Sequence, residues 1–130
     1  MIVHFPVGLL ISGVVFEIYG ALRNDGVAET AGRYNIRFGF WCLFPVLLVG
    51  FLGMISLENT EEFKDFLSSH LTFALCTAGL FFSAMLVSRY LRQPLGRALY
   101  FIIIGVGGIC LLTTGYFGGE LVHRFGVSTQ

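Results

Sequence analysis

Charge is the scarcest property of this sequence: of 130 residues only 12% are Asp, Glu, Lys or Arg, and their charges sum to zero. A soluble domain carries about 25%. Such scarcity excludes an ordinary water-facing surface, and the lack of a basic patch gives nucleic acid no footing. Cysteine is also sparse. Cys42, Cys76 and Cys110 stand one to an apolar stretch, with no C-x-x-C spacing, so they read as small core hydrophobes. No phosphate loop and no nucleophile set beside a base can be found, which leaves no signature of an enzyme acting alone.

Apolar residues are abundant, at 55% of the chain. Four windows, Ile2–Leu22, Phe38–Leu57, Leu67–Val87 and Ala98–Leu121, are long enough to cross a bilayer, which takes roughly 20 apolar residues as helix. Little lies outside them. The expectation is therefore all-α: one domain over residues 1–130, a four-transmembrane-helix antiparallel bundle in contact with lipid. The first window has no positive flank before it and no small-residue cleavage site after it, so it reads as a span rather than a signal peptide.

The arginines give an orientation. Arg23, Arg33 and Arg37 fall between windows one and two, and Arg89, Arg92 and Arg97 between three and four. Between two and three lie Glu58, Glu61, Glu62 and Asp65 against Lys64. The positive-inside rule then places the arginine connections in the cytoplasm and both termini outside. With this orientation His4, His70 and His123 all come to the outer, periplasmic side.

Spacing predicts which way they face. His4, Gly8, Ser12 and Phe16 recur every four residues, and small residues at that spacing let membrane helices approach closely. This predicts a packed face, with a hollow at Gly8 beneath His4. Asn59 and Glu62 read as a capping box for the third helix. Beyond them Phe63, Phe66, His70, Phe73 and Thr77 form one inward stripe. Thr113, Tyr116, Glu120 and His123 share a side of the fourth helix, next to Gly115 and Gly119. Glu120 is either a site residue or one that reaches head groups. Glu17, roughly 20 Å along its helix from His4, is expected to pair with Arg37 or Arg23 in the cytoplasmic half. Pro45 should kink the second helix, while Ser56, Thr72 and Thr77 are expected to bond between helices.

The opening Val3-His4-Phe5-Pro6 with Leu9-Leu10 and Phe16-Glu17, the third-span start at His70, and the close Gly115-Tyr116-Phe117-Gly118-Gly119-Glu120-Leu121-Val122 resemble a family of uncharacterised bacterial four-helix membrane proteins. The resemblance runs along the whole chain. It implies the bacterial inner membrane and a redox setting on the periplasmic face, because similar proteins are fused to or encoded beside c-type cytochrome domains. In the family the close continues with an aromatic and then Arg-His-Gly. Here Val122 leads into His123-Arg124-Phe125-Gly126, and the family's stretch before Val3 is not in the sequence. His4 and His70 remain as the matching pair.

Three readings follow. In the first, His4 and His70 ligate a b-type haem in an apolar slot lined by Gly8, Phe5, Phe66 and Phe73, and the protein passes electrons between membrane redox subunits and c-type cytochromes. In the second, His4, His70 and Glu120, with His123, hold zinc or copper without porphyrin. In the third, there is no cofactor, and the chain is an accessory or assembly subunit of a larger membrane redox complex.

Overall fold

The computed structural model describes residues 4–54, 61–91 and 94–125, with backbone alone at 52–54 and 125. It contains four helices, α1 (His4–Arg23), α2 (Gly26–Met54), α3 (Glu61–Tyr90) and α4 (Pro94–Phe125), each long and apolar enough to span a membrane. The all-α, four-span architecture expected from hydropathy is what the chain forms.

The helices outrun the apolar windows. α2 starts at Gly26 rather than near Phe38, so Arg33 and Arg37 stand on a helix and not in a connection. The cause is a tight turn. Asn24 takes a left-handed φ of 53°, which Asn tolerates better than most residues, and the Asp25 N–H donates to the Gly20 carbonyl at 2.9 Å. Asp25 then caps α2, its Oδ1 accepting from the N–H groups of Val27 and Ala28 at 2.9 and 3.2 Å. α2 continues as helix through Pro45. α4 likewise runs on past the fourth window, so Glu120 and His123 are helical. Asn59, the cap expected for α3, and Ser56 lie outside the described residues.

α1 packs closely on α2 and α3 on α4, and the two hairpins join through α1 with α4 and α2 with α3. The backbones of α1 and α3 stay apart, as diagonal partners in a square bundle do. One stripe of α1 is buried: Pro6, Leu10, Gly13, Glu17 and Gly20. This corrects the expected packed face, because His4, Gly8 and Phe16 are exposed. Ser12 alone of that set reaches another helix, accepting from Asn35 Nδ2 at 3.1 Å.

Glycines set the α1–α2 distance. A Cβ on Gly13 would stand 2.7 Å from Ile36 Cγ1, and one on Gly32 would stand 2.7 Å from the Glu17 nitrogen and 2.8 Å from the Gly13 oxygen. Around Gly8 no described residue lies within 4 Å of that position. The main apolar core runs from Val87 and Tyr100 at the arginine end up to Leu10 and Leu111. Many large apolar side chains, such as Trp41, Leu48 and Ile102, point outward, as they can where the solvent is lipid.

Gly32→Ala should lower unfolding stability in detergent by about 1–3 kcal/mol, because backbone must shift to admit the methyl group. Gly8→Ala should change it by less than about 0.5 kcal/mol. Thermal melts followed by circular dichroism check the pair, and equal shifts would show that α1 and α2 are not held at glycine distance.

Candidate functional site

The end of the bundle opposite the arginine end carries the histidines. His70 Nδ1 lies 3.0 Å from the Thr114 carbonyl oxygen. A carbonyl can only accept, so Nδ1 is the protonated nitrogen, and in the neutral ring Nε2 keeps its lone pair. The ring rests on Gly118, where an added Cβ would come 3.1 Å from Cε1. Thr77, almost fully buried, donates to the Phe73 carbonyl at 2.8 Å and approaches Thr114 Oγ1 at 3.5 Å. The stripe expected on α3 is thus present, with Phe63 and Thr77 buried and Phe66, His70 and Phe73 half-buried.

His4 is at the same level. Val14 of α1 faces Gly108 of α4, whose built Cβ would lie 3.8 Å from Val14 Cγ1. From that contact His4 lies ten residues outward on α1 and Gly118, beneath His70, ten residues outward on α4. Each is therefore about 15 Å further out. In direction the two differ. His70 turns to α4, whereas His4 continues the exposed line of Gly8 and Val15 on α1.

The aromatic lining is also divided. Phe5, 58% exposed, meets Phe38 of α2 edge-on at 6.2 Å. Phe66 and Phe73 close on Phe117 of α4, the second stacked at 5.7 Å. These three rings therefore do not line one common slot. Glu120 is half-buried and His123 exposed on α4. Among the described residues no three of His, Cys, Asp or Glu gather as a metal set, so His4, His70, Glu120 and His123 do not form the joint site of the zinc or copper reading. Arg124 closes this end, 3.0 Å from Glu62 and 5.4 Å over the Phe66 ring. The cysteines are free thiols, Cys42 and Cys110 half-buried and Cys76 exposed.

The arginine end holds a constellation that sequence reading missed. Glu17, 1% exposed, accepts a hydrogen bond from the Tyr100 hydroxyl of α4 at 3.0 Å and lies 3.8 Å from Arg33 Nε. Its partner is therefore Arg33, one turn before Arg37, together with a tyrosine. Arg33 Nη2 is also 3.8 Å from Glu29 Oε2, while Glu29 Oε1 receives Arg97 Nη2 at 2.8 Å. The only forewarning was Glu17 itself, since an ionisable residue on a span calls for a partner. Sequence separation hid Tyr100 and Arg97, which arrive from the other hairpin. A recess of about 210 Å³ opens beside this network, lined by Glu17, Glu29, Arg33, Ser88, Arg97 and Tyr100, with Leu91, Gly96 and Phe101.

Tyr100→Phe removes the one hydroxyl donor to a buried carboxylate and should cost about 1–3 kcal/mol of stability. Tyr34→Phe, at an exposed position of α2, should be nearly neutral. Unfolding titrations in detergent compare the two, and equal losses would show that the Tyr100–Glu17 bond contributes nothing particular.

No curated protein and no solved structure matches the chain. The family model described as "Predicted membrane protein (DUF2231)" matches residues 1–130. With four membrane-length helices arranged as above, the chain belongs to that family and is a multi-pass membrane protein.

Proposed function

We propose that the chain is a small accessory subunit of a larger membrane redox assembly, joined to its neighbours through the outer half of the bundle. One observation carries this reading. Gly108 meets Val14, but Gly115 and Gly119, which continue its line on α4, have nothing within 4 Å of a built Cβ among the described residues. Above the Val14–Gly108 contact, this line of α4 therefore presents small residues with open space among the described residues. A transmembrane helix of a partner can approach such a surface closely, where dispersion and interhelical hydrogen bonds drive association. The resemblance noted from the sequence points to partners that include c-type cytochromes. The arginine bias supports an inner-membrane placement with both termini in the periplasm.

A second reading, a b-type haem at this end, is favoured by His70. Ligating histidines characteristically donate their other ring N–H to a carbonyl or carboxylate, and His70 does so to Thr114. His4 matches it in level but stands on an exposed line, so His70 fits the group as the helices stand and His4 does not face it. When bound, haem would supply one-electron transfer. The role of this chain's own residues would be to hold the His70 ring and to keep its Nε2 free.

Two experiments separate the readings. Gly115→Leu with Gly119→Leu should leave the melting temperature of the isolated protein within a few degrees and abolish its co-purification with redox subunits from native membranes. Unchanged co-purification would overturn the accessory reading. A visible spectrum of the detergent-purified chain decides the haem reading, which requires a Soret band that shifts on reduction and disappears in His70→Ala. For orientation, single cysteines in a cysteine-free background at Glu62 and Ala28 should label from the periplasm and the cytoplasm respectively. The opposite pattern would invert the topology.

A further inference from the structure

We infer that the recess between the two hairpins at the arginine end is a binding site for the head group of a zwitterionic aminophospholipid, a molecule carrying both a phosphate and a primary ammonium. This stands apart from the reading of the outer end and shares no residue with it.

Depth is the first support. Glu29 lies three residues inside the start of α2 and Arg97 three residues inside the start of α4, each about 4.5 Å from its helix end. Glu17 lies six residues before the end of α1, about 9 Å in. The recess therefore opens at head-group level and reaches one to two turns into the bundle.

Charge is the second. Two carboxylates, Glu17 and Glu29, and two guanidinium groups, Arg33 and Arg97, line the same space. A bare anion entering it meets both carboxylates, and a bare cation meets both arginines. A molecule that carries both charges on separate atoms satisfies each pair.

The third support is unspent hydrogen bonding. Arg33 lies between the two carboxylates at 3.8 Å from each, beyond hydrogen-bond reach. Among the described residues no hydrogen bond joins its guanidinium, and its side chain is 41% exposed. Its fork of N–H donors suits the paired oxygens of a phosphate. Glu29 Oε1 is taken by Arg97, which leaves Oε2 as an acceptor for the ammonium. Tyr100 is not available, since its hydroxyl donates to Glu17. Leu91 and Phe101 add an apolar side to the recess, where a glycerol backbone and acyl chain would continue.

The choice of ligand follows from donors. Phosphatidylcholine has the phosphate, but its quaternary ammonium carries no N–H for Glu29. Phosphatidylglycerol has no cation at all. Native mass spectrometry of the full chain, released from micelles holding equal amounts of phosphatidylethanolamine, phosphatidylcholine and phosphatidylglycerol with the same acyl chains, tests this. The phosphatidylethanolamine adduct should exceed each of the others roughly tenfold, the ratio that one charge-assisted hydrogen bond supports.

Glu29→Gln should reduce phosphatidylethanolamine to the level of phosphatidylcholine. Arg33→Gln should weaken all three adducts, while Arg37→Gln, which changes an arginine outside the recess, should weaken none. A second measurement needs no variant: soluble phosphoethanolamine should displace the lipid from the wild-type protein, and inorganic phosphate at equal concentration should not. Equal adducts from the three lipids would overturn the assignment. So would phosphatidylglycerol in excess, a preference that survives both recess substitutions, or equal displacement by inorganic phosphate.

Discussion

A carboxylate inside an apolar bundle must be satisfied by the protein itself, since lipid offers it neither donors nor counter-charge. Glu17 is that group here, and much of the arrangement follows from it. Its hydrogen bond to Tyr100 ties α1 to α4. Its neighbour Arg33 leads to Glu29, and Glu29 bonds Arg97 of the opposite hairpin. Within each hairpin, close packing is joined by polar contacts such as Asn35 to Ser12 and His70 to Thr114. Between hairpins the contacts are sparser, and this polar chain ties the two halves at one end. Arg33 sits at a helix turn where Gly32 lets Glu17 approach to backbone distance. Glycine spacing and ion placement are thus two parts of one device.

The two ends of the bundle differ in kind. At the arginine end charge and hydrogen bonds tie the hairpins beside the recess, and Gly20 and Gly32 meet the facing helix closely. At the histidine end the main core stops at Leu10 and Leu111, and Gly115, Gly119 and Gly8 meet no described residue within 4 Å of a built Cβ. His70 is held there by Thr114 and Gly118 of α4, while the backbones of α1 and α3 stay apart. A partner helix and haem are the two occupants proposed for that end. Both stand as proposals on different observations, the small-residue line of α4 for the helix and the Nδ1–H bond of His70 to Thr114 for haem.

Much of the fold was legible from hydropathy, because the cost of leaving backbone unbonded in lipid permits few alternatives to helices once four apolar windows exist. The α3 stripe through His70 was legible for a similar reason: five residues at helical spacing leave little doubt about a shared side. The face of α1 was not. Small residues recur on it in two registers, Gly8 with Ser12 and Gly13 with Gly20, and either could have packed. The second is buried because it also carries Leu10 and Glu17 inward, and Glu17 finds Tyr100 and Arg33 there. The helix ends escaped as well, since Asp25 capping and the left-handed Asn24 turn set them, and neither is a matter of hydropathy.

The sequence by itself determined that this is a four-span membrane chain, that three histidines come to one end and six of the seven arginines to the other, and that Glu17 would need a partner inside the span. Apolar length and charge distribution are summed along the chain, so they can be read from it directly. Tertiary structure alone decided that His4 and His70 share a level without facing one another. It also decided that Glu17 meets Tyr100 from 83 residues away, and that the arginine end holds a recess of balanced charge. Those outcomes depend on the rotation of each helix about its axis and on which hairpin lies beside which, and packing between distant segments sets both.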